Sequence, residues 1–231
     1  MKISGAEAVL IGLMIVCTSQ VALAQGVPSS NMQMVTQISE ARKANAALMR
    51  QYTWNSRTEV IENNDIKDTL IELVNYTPDG MLTRSILNDQ KAPLPLGFLR
   101  RAIAEDQRKK LEEYLTDLRA LLEQYANPTE GKILDFLNQA TTSGPDAAGL
   151  LEMTGRNVMV PGDVFSMWTD ARTRHTRKIQ VTANYKGDPA NVTATYQTLA
   201  SGLTYMAFAE ITVPTKQLRV QSQNFNYTRP N

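Results

Sequence analysis

The sequence predicts an α+β protein: a curved antiparallel sheet, an incomplete β-barrel, covered by helices, with a long helical insert between N-terminal and C-terminal strands. Three observations predict it. Several segments alternate apolar and polar residues, most cleanly 177–185, where Ile179, Val181, Ala183 and Tyr185 share one face and Lys178, Gln180, Thr182 and Asn184 the other. Between two such groups of segments the period changes, and Leu111, Tyr114, Leu118, Leu121 and Tyr125 repeat at helical spacing. Residues that favour turns fall between the segments, as in Thr77-Pro78-Asp79-Gly80 and Lys186-Gly187-Asp188-Pro189.

The chain has 231 residues, and its first 24 have the layout of a secretory signal peptide. Lys2 gives a short basic region, residues 8–16 an apolar run too short to cross a bilayer, and Ala22-Leu23-Ala24 a small-x-small cleavage site ahead of Gln25. Glu7 is unusual beside such a run. Acylation at Cys17 and an uncleaved anchor are the rival readings, and bulky Val16 argues against the first. The look of the signal is bacterial, which points to the periplasm or cell envelope. Residues 25–231 are then expected to form one domain with its helical insert at 98–140, large enough to bury a core without disulfides.

Element by element, a helix is expected from about 32 to 50, capped by Ser30, with Met34, Ile38, Ala41, Leu48 and Met49 on its apolar side. Strands follow at 52–60, 67–76 and 81–87, a three-strand meander turning at Asn63-Asn64-Asp65 and at Pro78-Asp79-Gly80. Pro93 and Pro95 predict a loop over 89–96. The long helix runs from Phe98 to Tyr125 and stops at Asn127-Pro128, and a second covers about 130–140. Residues 141–149 read as small, polar and flexible. Strands are expected again at 149–158, 163–168, 177–185, 191–198, 203–214 and 216–227, with Val192, Ala194 and Tyr196 facing inward.

Composition narrows the function. With 24 basic and 23 acidic residues, no charge excess favours a polyanion, which excludes nucleic acid as the expected partner. Cys17 is the only cysteine and His175 the only histidine, so a Cys or His metal site is not expected. Asn63-Asn64-Asp65 with Asp68 hints at calcium, but a polar hairpin tip explains it better. His175 sits among Arg172, Arg174 and Arg177 and reads as a solvated turn residue. Ser166 and Ser201 lack a nucleophile-elbow context, and no phosphate-binding glycine loop occurs. No catalytic residue, metal or cofactor is expected.

Two features carry a binding expectation. Tyr52, Trp54, Trp168, Tyr185, Tyr196 and Phe208 are aromatics at strand positions; with Val181 they are the candidates to line a lipid-facing cavity, the alternative being plain core. Arg100, Arg101 and Arg108, with Lys109 and Lys110, cluster early in the long helix. They could meet an anionic membrane surface or an acidic envelope protein, or form a solvated face balanced by Glu105, Asp106, Glu112 and Glu113.

Tyr52-Thr53-Trp54 opens the sheet after the first helix, and Met167-Trp168-Thr169-Asp170 leads across a short turn into Arg177-Lys178-Ile179-Gln180-Val181. This layout resembles the LolA/LolB-like superfamily of periplasmic proteins, which includes sigma-factor regulators of the RseB type and in which such a hairpin recurs. The likeness covers about residue 44 onward in architecture and those two segments in residues. It implies a half-barrel closed by helices over a hydrophobic cavity, in proteins that carry lipid-modified proteins or sense envelope components. No ligand residue is carried over from it. The expected function is an exported protein holding a lipid or acyl chain between sheet and helices; the alternative is an envelope scaffold with a filled core and a partner-binding helix.

Overall fold

The computed structural model describes residues 31–93 and 98–230. The expected export segment with its expected cleavage site, the expected Ser30 cap and the Pro95 part of the loop lie outside the described residues. Ten strands form one antiparallel, open sheet: β1 (Thr53–Glu62), β2 (Asp65–Tyr76), β3 (Leu82–Lys91), β4 (Thr141–Ser143), β5 (Leu150–Arg156), β6 (Val164–Asp170), β7 (Thr176–Tyr185), β8 (Asp188–Thr198), β9 (Thr204–Val213) and β10 (Leu218–Thr228). Their spatial order is β3-β2-β1-β10-β9-β8-β7-β6-β5-β4. Among the described residues three α-helices accompany them: α1 (Asn31–Met49), α2 (Phe98–Ala126) and α3 (Glu130–Gln139).

Short turns set much of this order. Glu62 pairs with Asp65 and Tyr185 with Asp188, leaving two-residue loops at Asn63-Asn64 and Lys186-Gly187. All four loop residues have positive φ, between 52° and 87°. That is the twist-matching hairpin turn that Asn and Gly adopt most readily. β3 runs past the expected end of its strand, because Leu70, Thr69 and Asp68 of β2 pair with Asp89, Gln90 and Lys91. The stretch expected to be flexible after α3 instead begins with β4, paired to Met153 and its neighbours.

β3 and β4 are consecutive in the chain yet form opposite edges of the sheet. The connection between them therefore has to cross the whole sheet, about 43 Å at 4.8 Å per strand. The 29 residues of α2 reach about the same distance at 1.5 Å per residue. About three turns into the helix, the Arg108 guanidinium donates to the Ala92 carbonyl just beyond β3 at 2.7 Å. At its end, Tyr125 stacks on Phe165 of β6 with centroids 6.4 Å apart. Asn127-Pro128 breaks the helix, and Thr129 caps α3 by accepting from the Lys132 amide at 3.3 Å.

The main core lies between α2 and the inner sheet face. Leu115, Leu118, Leu122, Tyr125 and Ala126 are buried against Ile179, Val181, Val192, Ala194, Ile211 and Val220. The buried stripe is rotated from the expected one: Leu111, Tyr114 and Leu121 are only partly buried. A second apolar cluster gathers Met49, Tyr52, Trp54, Val74, Leu203 and Tyr205. Polar Ser56, Thr58, Glu72 and Ser222 are also buried on the shared strands β1, β2 and β10. Glu72 is 2% exposed and accepts from Arg84 at 2.6 Å. The free edge of β3 carries a register shift opposite Ile71/Glu72, a bulge that disfavours edge-to-edge pairing.

Candidate functional site: an apolar cleft under α1 and α3

Where α2 covers the sheet, its buried leucines pack on the inner face, leaving a small pocket of about 40 Å³ beside Arg108 and Leu111. Beyond the end of α2 the cover is made by α1 and the short α3, which cannot fill the space. A partly open cleft of about 250 Å³ results. Its floor is β5 and β6, through Leu151, Met153, Phe165, Met167 and Thr169. Its roof is Met34 and Ile38 of α1 with Ile133, Phe136 and Leu137 of α3. Val158 and Met159, in the loop between β5 and β6, close one end.

Local chemistry fixes these walls. Gly155 of β5 lies beneath Phe136, where a Cβ would come within 2.8 Å of the ring. The missing side chain lets the ring seat edge-on against Phe165 at 5.1 Å. The closing loop is gathered by Asp163, 1% exposed, whose carboxylate accepts from the amides of Val158 at 2.6 Å, Met159 at 2.8 Å and Val160 at 3.1 Å. The Tyr125 hydroxyl donates to the same carboxylate at 2.6 Å, and burial with this acidic partner pushes its pKa well up, so it remains a donor. The loop is thus tied to the end of α2. Four methionines line the cleft: Met34, Met153, Met159 and Met167. Their unbranched thioethers conform to apolar guests of varied shape.

None of the seven residues expected to line a cavity belongs to this lining. Val181 and Tyr196 are buried in the main core, and Tyr185 packs edge-on against Tyr114 of α2 at 5.4 Å. Tyr52 and Trp54 belong to the second cluster: Trp54 stacks on Tyr227 at 5.4 Å, and the Tyr52 hydroxyl donates to Ser201 at 2.8 Å. Trp168 and Phe208 are corrected in orientation. Trp168 pairs with Lys178, which lies over its ring at 4.6 Å, and Phe208 pairs with Thr195 and Gln223. Both stand on the sheet face opposite Met167 and Ala209, because strand parity rather than aromatic character decides the side. The available signal for the cleft was the run of methionines at 153, 159 and 167, close to a glycine in a strand.

The basic cluster of α2 is largely engaged within the molecule. Arg101 pairs with Glu105 at 3.0 Å, Lys110 with Asp106 at 2.7 Å and Lys109 with Glu113 at 3.9 Å, all one helical turn apart. The Arg100 side chain is not among the described groups. His175 bonds through Nδ1 to the Thr198 hydroxyl at 2.9 Å. Burial, and then the nearby Arg177 charge, lower its pKa, opposed by Asp170. The unfolded chain therefore binds this proton more readily than the folded one. Its contribution to stability is complete above the ordinary histidine value near 6.5 and is lost as pH falls below it. Because the chain has a single histidine, one imidazole proton resonance followed against pH should show a midpoint below 6.5; a midpoint at or above that value contradicts the geometry.

Among the described residues no group of three or more His, Cys, Asp or Glu could hold a metal ion, and no helix is long and apolar enough to cross a membrane. The cleft offers apolar surface, two threonines and two cations, an arrangement suited to holding a guest. No protein-family model and no curated protein matches the chain. Among solved structures, that of a DUF1329 family protein from Desulfovibrio piger is similar over 87% of this chain and 92% of that one, at 9% identity and a TM-score of 0.37.

Proposed function

We propose that the protein is an exported, non-catalytic binding protein of the bacterial envelope, of the LolA/LolB-like carrier or sensor kind. It holds a lipid or acyl chain in the cleft between β5–β6 and the α1–α3 cover. The observation that carries the reading is the cleft itself: about 250 Å³ of space with a largely apolar, methionine-rich lining, beside the buried core under α2. The half-barrel description fits an open sheet whose inner face is bridged by one long helix. The basic, apolar and small-x-small order of residues 1–24 supports export.

The volume sets the scale of the guest. At about 30 Å³ per water-sized group it accommodates roughly eight methylene-sized groups. Burying that many methylenes supplies about 6 kcal/mol at ~0.8 kcal/mol each. Association costs of ~4 kcal/mol or more offset most of this, so a simple chain of that length binds weakly. Tight binding requires a longer chain that leaves the cleft partly exposed, or a polar anchor.

Native mass spectrometry of protein purified from an envelope extract without detergent tests the reading. It should show a polypeptide starting at Gln25 with a lipid-class adduct that organic extraction removes. Bare polypeptide, together with no adduct after incubation with a lipid extract, would rule the carrier out. A second reading, an envelope interaction module, is favoured by the exposed Ile66, Met81, Ile86 and Leu87 on the β2–β3 hairpin. It predicts one stoichiometric protein partner in place of the lipid.

A further inference from the structure

The cleft is electrically one-sided. Among the described residues, sixteen line it, including Lys132 and Arg174 but no carboxylate. The two cations stand at opposite ends. Lys132 donates to the carbonyl of Val158, just beyond the end of β5, at 3.1 Å. Arg174 belongs to the hairpin between β6 and β7, which is tied to the start of β5 by the Ala171 amide bonding to Gly149 at 2.9 Å and by the Leu150–Asp170 pair. The seven residues of β5 separate these ends by about 20 Å.

Among the described residues the Arg174 end lacks a free counter-charge. Asp170, the acidic residue of that hairpin, accepts from the backbone amides of Arg172 at 3.1 Å and Thr173 at 2.8 Å, and from the Arg177 guanidinium at 3.1 Å. Arg174 forms no ion pair among the described residues, although it is half-buried. Its backbone is set by the hairpin turn. At φ 61° it occupies the left-handed region, where glycine or asparagine is the low-cost choice and a long side chain is not. A half-buried cation with no ion-pair partner among the described residues, lining an apolar cleft, is the arrangement expected of a ligand anchor.

We infer that the cleft selects a single-chain amphiphile with an anionic head, the chain lying over the methionine-lined floor and the head on the Arg174 guanidinium. This rests on the cleft being a binding site and adds the class of ligand. A guanidinium fork takes two oxygens of a carboxylate or of a phosphate monoester in parallel hydrogen bonds. Either head supplies the polar anchor that a short chain needs. Lys132 is the weaker candidate, because one of its three N–H donors is already held by the Val158 carbonyl and its point charge lacks the guanidinium fork.

Amide NMR titrations of the purified protein at pH 7.5 with octanoate, octyl phosphate and octanol test this. The three probes share a chain matched to the cleft and differ in the head. The native protein should bind at least one anion about tenfold or more tightly than octanol, and the tighter anion identifies the head as carboxylate or phosphate. Arg174→Asn removes the charge while relieving the left-handed backbone. It should bring anion affinity down to that of octanol and leave octanol binding unchanged, whereas Lys132→Gln should keep the preference for the anion. Equal affinity for all three probes in the native protein, or an anion preference that survives in Arg174→Asn, overturns the inference while leaving an apolar site. If none of the three shifts any amide of the cleft, the binding site itself is refuted and the inference with it.

Discussion

Asp163→Ala is expected to lower the unfolding free energy by about 3–5 kcal/mol and the melting temperature by about 10 °C. Few residues in this fold gather so much onto one side chain. Three consecutive amides, from Val158 to Val160, and the Tyr125 hydroxyl all donate to this carboxylate, which is 1% exposed. Alanine leaves these donors without an acceptor. Val158 is buried while Met159 and Val160 are half-buried, so water can replace part of what is lost and the expected loss stays below the sum over four bonds. Asp163→Asn retains one carbonyl oxygen and should cost about half as much. Urea unfolding followed by circular dichroism gives both values. A loss under about 1 kcal/mol for the alanine variant would mean that the loop between β5 and β6 is not held by this carboxylate. Because Val158 and Met159 also close the cleft, the same variant should weaken any guest the cleft holds.

Met153→Trp should reduce lipid or octyl-chain binding by about thirtyfold or more while changing stability by under about 1.5 kcal/mol. Met153 faces the cleft from β5, opposite Met167 across the β5–β6 ladder, and is only partly buried. An indole there enters existing space instead of displacing packed atoms, so the usual penalty for overfilling a core is small. The comparison that gives the result meaning is Phe208→Ala. That side chain is on the opposite face of the sheet, and its removal should leave binding unchanged. Equal binding by the native protein and Met153→Trp, measured by the same NMR titration, would place the guest elsewhere.

Local order was readable in the sequence to a considerable depth. The alternation in 177–185 and 191–198 is the observed inward and outward pattern, and Asn63-Asn64 and Lys186-Gly187 are observed hairpin turns, because period and turn chemistry are local properties. Long-range order was not. Nothing near Thr53 or Thr228 announces that β1 and β10 pair; that choice is made by the shared core. The polar residues Asn88, Asp89 and Gln90 concealed the end of β3, since an edge strand needs only one partner and little burial. α1 is weakly patterned because polar Asn45 is buried, exchanging bonds of 2.9 Å with both the amide and the carbonyl of Thr204. The cleft was missed for a related reason. Aromatic residues draw attention, but Trp168 and Phe208 fall on the wrong parity, while the space left between a short helix and a sheet depends on how far each helix reaches.

The position of β10 has one more consequence. It inserts between β1 and β9 and holds two otherwise separate meanders in one sheet. Each meander can form hairpin by hairpin as the chain emerges, but their union waits for the last strand and closes a loop of well over a hundred residues, an entropic toll that grows only slowly with length. Until then β1 and β9 both present bare ladders. A product cut short before Leu218 would carry two sticky seams, and would be expected to aggregate instead of surviving as a smaller version of the protein.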